Sequence, residues 1–504
     1  MAIADVNVPE TDGWWAAQLW EKLGPQRDHC QKMQDRFEGN APAPYIADNQ
    51  KAAVKWFVEK SRSNFERLIV NSVLSRLKLR GIRTAVDNDE GGDAKAFTVW
   101  KRARGKIVVL DAHKMALAMS RSFVIVGKDA RGQLLITAED PRQVCVITDP
   151  GNPYYTLAGI KVFTDPLLGE DVLYLYLPGR APRGARRKTP PVGAPQTVRD
   201  TKVPAATFTW DDERDGVDPP GEVSWLAATD ELPAMCPVVP FTNEDGMAQF
   251  EPHIHILDRI NQQILQRMTI ATVQAFKQRA FKGLPPKDEK TGKRIDWDSV
   301  FVADPGAIWN MPASIEIWES GQVDLAPILM AIRDDIKDLA AQSGTPLYSI
   351  TPDAANGSAE GASLMREQMV FQVETRQDRW ELGHELICEL MFRTMGDEQR
   401  AQPGTIEIMW RPVEKFSMSE RASAISQTKD VLSKYQQLTE VWGMDPAQAD
   451  RNMTELQDDM VLAQQMAIAQ ANAMPKPPAP IAAAPAQQEQ PVRTPSVRAD
   501  RAAR

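Results

Sequence analysis

The sequence predicts an α+β protein, and two patterns carry that prediction. Apolar residues recur at intervals of three and four through long stretches, notably Pro252 to Lys282 and Asp324 to Ser343, as they do in amphipathic helices. Between Phe123 and Leu177, short apolar runs alternate with turn residues, which is typical of an antiparallel sheet. Because helices flank this sheet along the chain, the class is α+β.

Composition limits what the protein can be. The 504 residues, 43% of them hydrophobic, have room for about three domains. We expect no membrane segment, because no run approaches the roughly 18 apolar residues of a span and the N-terminus lacks the regions of a signal peptide. The net charge of -9 argues against a surface that binds nucleic acid by neutralising phosphates. The four cysteines lack CxxC spacing, which indicates buried thiols in a reducing cytoplasm.

The N-terminal half begins with helices and continues into the sheet. A short helix is predicted around Trp14 to Trp20. A longer helix is predicted over Lys51 to Leu77, and the chain after it is predicted to be extended up to Ile82. Thr98 to Ser120 fits a helix, although Ile107 to Leu110 also favours a strand. The predicted strands are Phe123 to Val126, Leu134 to Thr137, Val144 to Thr148, Leu157 to Phe163 and Val172 to Leu177. Gly179 to Lys202, rich in Pro, Gly and Arg, predicts either a mobile surface loop or a contact with another macromolecule.

A helical hairpin organises the middle of the chain. The outgoing helix, Pro252 to Lys282, would be about 45 Å long. The returning helix is capped by Asp324, and the insert between the helices contains a basic cluster, three tryptophans and a strand at Ile315 to Trp318. Two helices cannot bury apolar stripes this wide on each other alone, so we expect further copies of the hairpin as partners. Head-to-tail contacts that close would give a ring with an axial channel.

The C-terminal part alternates loops and helices. The loop over 344–361 has no cation, and Ser358 or Ser363 begins a long helix in which Arg376 and His384 interrupt the apolar stripe and Gly383 is a candidate bend. Thr405 to Trp410 predicts a strand that could complete a sheet begun in the N-terminal half. Helices follow Ser419, break at Gly443 and continue to Ala473. The composition beyond Pro475 predicts disorder.

No catalytic or metal-binding constellation is predicted. His384 begins a segment like HExxH, but Cys388 stands where the second histidine should be. His253 and His255 fall on different faces of a helix, and the Gly292-Lys293 pair lacks the spaced glycines of a phosphate loop. We therefore expect no metal, no cofactor and no enzymatic activity.

Several local patterns together resemble the portal proteins of tailed bacteriophages, especially those of siphophages. They are the Pro240-Phe241-Thr242-Asn243 turn, the helical segment Leu257-Asp258-Arg259-Ile260-Asn261, and the Gly344-Thr345-Pro346 turn with the Gly/Ser loop and long helix after it. The resemblance covers roughly Tyr45 to Ala473 and lies more in the order of elements than in any one residue.

The resemblance implies a division of the chain and a helix over the ambiguous segment that ends at Ser120. The implied parts are an N-terminal segment (1–44), a wing (45–250), a first stem helix (251–282), a clip (283–323), a second stem helix (324–343), a tunnel loop (344–361), the long helix and strand of the wing (362–418), crown helices (419–473) and a disordered tail (474–504).

It also implies three groups of site residues. The tunnel loop would face the DNA channel through Thr345, Leu347, Tyr348, Ser349, Thr351, Asn356 and Ser358. The stem would present Arg333, Asp334, Asp335, Lys337 and Asp338 to the channel. The clip would dock partners through Lys287, Lys290, Lys293 and Arg294.

The function that the resemblance implies is a ring, commonly dodecameric, at one capsid vertex, assembled in the host cytoplasm and retained in the virion. Double-stranded DNA would pass through it during packaging and ejection, and its acidic character would suit a wall along which DNA slides. Its partners would be the terminase motor, then the head-tail connector, with the major capsid protein and scaffold around it. The alternative is a minor capsid or adaptor protein without a DNA channel; a nucleic-acid-processing enzyme is the weakest option.

Overall fold

A computed structural model gives the structure of this chain. It describes residues 3, 5–45, 52–87, 91–129, 131–188, 207–213, 235–275, 279–287, 292–297, 315–319, 321, 323–346, 359–413, 418–428, 430–444 and 446–473. The chain divides into two units, Met1–Ala449 and Asp450–Arg504. Helices and small antiparallel sheets make up the fold, so the predicted α+β class is confirmed.

The chain begins with one long helix, α1 (Asp12–Phe37), where only a short one was predicted. The Oγ1 of Thr11 caps its N-terminus by accepting a hydrogen bond from the backbone N–H of Trp14. Leu19 lies in one hydrophobic core and Phe37 in another, so both halves of the helix are held by packing. The internal Pro25 obscures this helix in the sequence, because proline normally ends a helical pattern.

Two helices that were predicted as single are each broken once. Lys51 to Leu77 forms α2 (Ala52–Lys60) and α3 (Phe65–Leu74). The helix over the ambiguous segment is confirmed against the strand alternative, as α4 (Ala94–Arg102) and α5 (Gly105–Met119). The break lies at Arg104, which has a left-handed φ of 59°, followed by a glycine whose Cα directly faces the ring of Trp100.

All five strands predicted between Phe123 and Leu177 are confirmed. They are β2 (Arg121–Lys128), β3 (Leu134–Glu139), β4 (Val144–Thr148), β5 (Thr156–Asp165) and β6 (Glu170–Tyr176), preceded by β1 (Leu79–Arg83). β7 (Arg183–Lys188), β8 (Thr209–Trp210) and β9 (Val238–Thr242) follow. One sheet has the order β3-β2-β9 and another the order β4-β5-β6-β7-β8.

β7 corrects the prediction of a mobile loop from Gly179. Its arginines form ion pairs within the fold: Arg183 with Asp212, and Arg187 with Asp171, at 2.9 and 3.0 Å. These partners are acidic residues elsewhere in the chain, so the basic run stabilises a sheet instead of remaining free. The rest of the predicted loop, 189–202, lies outside the described residues.

The main core lies where the sheet β3-β2-β9 meets α3, α5 and a long helix, α8 (Ala359–Thr394). The indole N–H of Trp380 on α8 donates to the backbone oxygen of Thr242 at 2.9 Å. Gly383, predicted as a bend, lies inside this one continuous helix, and a Cβ there would come within 3.1 Å of the Phe241 ring. Its small size therefore serves close packing.

The C-terminal elements follow the predicted order. β12 (Glu407–Trp410) pairs antiparallel with β1, which confirms that this strand completes a sheet begun in the N-terminal half. α9 (Met418–Thr428), a single turn α10 (Lys434–Gln436) and α11 (Pro446–Ala473) come next, and the predicted break at Gly443 has a φ of 70°. Among the described residues, no helix is both long and apolar enough to cross a membrane.

Candidate functional site

The candidate site is the helical hairpin with its terminal strands, which we call the arm (251–342). α6 (Ile254–Ala275) leads into β10 (Arg279–Lys282), and β11 (Glu316–Glu319) leads back to α7 (Ala326–Gln342). The outgoing helix therefore ends earlier than predicted and spans about 33 Å. Residues 279–282 form a strand because they pair with β11, Phe281 opposite Ile317.

The two helices of the arm are joined by a polar cluster at Asp335. Its carboxylate accepts hydrogen bonds from Nε and Nη2 of Arg259, at 2.9 and 2.7 Å, and from the amide of Gln263 at 2.8 Å. Asp335 was predicted to face the channel, and this is corrected: its side chain is only 13% exposed and joins α7 to α6 within the chain.

The other predicted stem residues lie on the exposed side of α7. Arg333, Asp334, Lys337 and Asp338 are all exposed. Lys337 pairs with Asp334 at 2.9 Å along the helix. This surface therefore carries charges of both signs.

Apolar burial along the arm decreases from its base to its tip. Near the base, Ile260 and Leu339 are fully buried. Farther along, Met330 of α7 is 63% exposed, and Val323, which lies just before α7 in the chain, is 52% exposed. On β11, Trp318 is 59% exposed. The outer arm thus leaves large apolar groups in contact with water.

The base of the arm is anchored by a charge cluster around the buried Arg36. Arg36 of α1 donates to both carboxylate oxygens of Asp258, at 2.9 and 3.0 Å, and lies 3.7 Å from Glu66. Asn261, one turn after Asp258, accepts from the backbone N–H and hydroxyl of Ser63. Burial raises the pKa of Glu66 to about 7, although the nearby Arg36 opposes that shift. The sequence did not indicate that Arg36 and Glu66 support the arm, because Asp258, which pairs with Arg36, lies far away in the chain.

Of the predicted tunnel loop, only its first residues are described. Gly344 has a φ of 59° and lies tightly against Gln372, whose amide donates to the backbone oxygen of Ser343 at 3.0 Å. Thr345 is buried and hydrogen-bonds Ser343, so its assignment to a channel wall is corrected. The remaining predicted loop residues lie outside the described ones: Leu347, Tyr348, Ser349, Thr351, Asn356 and Ser358.

The insert brings three of its four predicted docking cations together. Lys287 forms an antiparallel bridge with Arg294, and Lys293 precedes it; all three are exposed. The indole N–H of Trp297 donates to the backbone oxygen of Pro285 at 3.0 Å and helps to close this turn. Lys290 lies outside the described residues.

The segment that resembles HExxH lies in the core. Nε2 of His384 is 2.9 Å from Nε2 of His113, and both rings are fully buried. Burial lowers the pKa of His384 to about 3 and that of His113 well below its usual value. In the described part of the chain, no group of three or more His, Cys, Asp or Glu side chains could hold a metal ion. The pair is therefore a packed structural contact.

Comparisons with known proteins give a weak similarity to solved structures. No protein-family model matches the chain, and no curated protein sequence matches it. The chain is similar to one from a solved structure titled "Virion of native gene transfer agent (GTA) particle", at 10% sequence identity, covering 83% of this chain and 93% of that one. The TM-score is 0.40, which is too low for the similarity to carry an argument.

Proposed function

We propose that this chain is a structural subunit of a virion, specifically the portal protein of a tailed phage. The observation that carries this proposal is the arm: a hairpin fixed at its base, with a mixed-charge outer face and apolar groups exposed toward its tip. The local patterns that resemble portal proteins fall on its supports, since Asp258 and Asn261 anchor the base and Gly344 ends the second helix.

The exposed apolar groups of the arm favour assembly with further copies. Met330 and Trp318 are large apolar side chains that a lone subunit would leave in water. Repeated contact between arms of identical subunits would bury them, and such contact closes into a ring when the rotation between subunits allows. In this proposal the ring lies at one capsid vertex, and double-stranded DNA passes through it.

The proposed mechanism is passive. The exposed face of α7 carries Arg333, Lys337 and neighbouring carboxylates, and the net charge of the chain is -9. Such a wall makes few lasting phosphate contacts, so DNA could slide along it under the force of a separate terminase motor. We propose no enzymatic activity for the chain itself. The exposed cations at the tip, Lys287, Lys293 and Arg294, would dock the motor and then the head-tail connector.

The first test is negative-stain electron microscopy of the purified protein with a mass measurement. We expect rings with an axial hole wide enough for a DNA duplex. Met330→Glu should prevent ring formation while the subunit stays folded, whereas Leu167→Glu, at an exposed hairpin tip elsewhere, should not. Compact oligomers without a hole would refute the channel and favour the alternative of a minor capsid or adaptor protein.

The docking proposal is tested separately. Replacing Lys287, Lys293 and Arg294 with alanine should weaken binding of the motor or connector and leave the ring assembled, because these side chains are exposed. A variant that no longer folds would contradict their assignment to a docking surface.

A further inference from the structure

A groove lies between α5 and the strand β3, and no residue of the arm is among those that line it. It has a volume of about 800 Å³. Five successive residues of β3, 134–138, line it. Side chains alternate between the faces of a strand, so one face alone could not supply five residues in a row. The groove therefore follows the edge of β3.

That edge is open in the part of the chain that the structure describes. β3 is the outermost strand of the sheet β3-β2-β9 and pairs only with β2 among the described strands. The backbone N–H and C=O groups on its other side are thus available to a further strand. Open edges of this kind are where proteins add an extended peptide as an extra strand.

The opposite wall supplies apolar contact. Ile107 projects from α5 and is 62% exposed, although it is a large aliphatic residue on the helix of the main core. Met115, two turns farther along α5, lines the same groove and is partly buried. An extended chain on β3 would point every second side chain toward this wall.

The rim adds positive charge. Arg102 and Arg104 stand at one end and Lys114 along the side, and none of them forms an ion pair with any residue that the structure describes. The groove also contains Asp111 and Asp140, but Asp140 is held by Arg142 at 2.6 Å. A ligand that carries a carboxylate near the two arginines fits this balance of charge.

We propose that this groove binds an extended segment of another protein, with alternating apolar residues and at least one carboxylate, as an added strand on β3. A helix does not fit the open edge, because its main-chain groups are already paired internally. Five residues of strand span about 16 Å, so the bound segment would be short. This inference does not rest on the ring or the DNA channel.

The probe is a library of random peptides of about ten residues, selected on the immobilised full chain, with the enriched peptides resynthesised and labelled for fluorescence anisotropy. Enriched peptides should alternate apolar residues, contain Asp or Glu and lack proline, because proline cannot donate to a strand ladder. Amide hydrogen exchange should slow in residues 134–139 when such a peptide binds.

Variants at the end of α4 and on α5 make the test specific. Ile107→Glu and Arg102→Glu should each weaken peptide binding by about tenfold or more, because each removes one form of complementarity. The matched control is Leu110→Glu: Leu110 is also exposed on α5 but lines a different pocket, with Leu77 and Trp100, and binding should be unchanged. Arg102 is exposed, so its variant keeps the test valid if Ile107→Glu disturbs folding.

Several outcomes would overturn the proposal. They are the failure to enrich any peptide, equal binding to all three variants, and slowed exchange in a segment other than β3. Slowed exchange of β3 that rises with protein concentration and needs no peptide would identify a second copy of this chain as the occupant instead.

Discussion

Acidification should destabilise this protein through the buried pair His113 and His384. Their Nε2 atoms are 2.9 Å apart, and Trp380 stacks on the His113 ring with 4.7 Å between ring centroids. Phe241 and Trp410 also lie against the two imidazole rings. Burial lowers the pKa of His384 to about 3, so both rings are neutral in the folded state at mild pH.

The sign of the effect follows from proton uptake on unfolding. An unfolded histidine has a pKa of about 6.5, so below that pH the unfolded chain binds protons that the folded chain excludes. The stabilisation is present above about pH 6.5 and is lost as the pH falls toward the folded pKa. Between pH 7.5 and 5 each histidine should cost about 2 kcal/mol of unfolding free energy, or about 4 kcal/mol together.

Glu66 at the base of the arm opposes this loss. Its folded pKa is raised to about 7 by burial, against roughly 4.3 in an unfolded chain. Its contribution is therefore fully present below the unfolded pKa and is lost as the pH rises through 7. Acidification from pH 7.5 to 5 should recover about 2 kcal/mol through Glu66, so the wild-type protein should lose only about 2 kcal/mol.

Urea unfolding followed by tryptophan fluorescence at pH 7.5 and 5 measures both contributions. Glu66→Gln should double the loss of unfolding free energy on acidification. The double variant His113→Gln, His384→Gln should replace the loss by a gain of about 2 kcal/mol, because the contribution of Glu66 remains. His255→Gln, which changes an exposed histidine of α6, is the control. An equal loss in the wild type and in the double variant would refute the assignment of neutral buried histidines.

Three further predictions concern packing and pairing. Asp335→Asn should lower the thermal midpoint more than Asp334→Asn, because Asp335 joins two helices whereas Asp334 pairs with Lys337 of the same helix; the reverse order by circular dichroism would contradict this. Gly383→Ala should destabilise by about 1–2 kcal/mol in urea titrations because of the close Phe241 ring, although helix propensity alone predicts a gain of up to about 1 kcal/mol. No thiol should react with Ellman's reagent until urea unfolds the chain, because all four cysteines are buried and burial raises their pKa values. The pKa is raised to about 11 for Cys30 and Cys145, to about 12 for Cys236, and further for Cys388.

The strands of the sheets were the part of the fold most open to prediction, because short apolar runs between turn residues are a local signal. Asp129, for example, accepts hydrogen bonds from backbone N–H groups of its own turn between β2 and β3. All the residues that form this turn are close together in the sequence, so the sequence alone indicates it. β7 was missed for the opposite reason. Its arginines look like a solvated run until the fold brings Asp171 and Asp212 beside them.

In the arm, too, features that depend on neighbouring residues were predicted, and features that depend on residues far apart in the chain were not. The pattern at Gly344 predicted the end of α7 correctly, but the role of Asp258 depends on Arg36, which lies 222 residues away. The end of α6 was placed too late, because the pairing of residues 279–282 with β11 overrides the local helical pattern. Asp335 was read as a channel residue, since nothing in one sequence shows which face of α7 meets α6.

The gradient of burial along the arm bears on the choice between a portal and an adaptor. Fixing the base through Arg36 and the middle through Asp335 makes the hairpin a stiff projection, yet Trp318 remains in water at its far end. A projection that only tethered the chain to a capsid shell would need one apolar contact at its tip. Met330 and Val323 extend the exposed apolar groups back along the arm, which supports the proposal that another arm of the same length lies beside it.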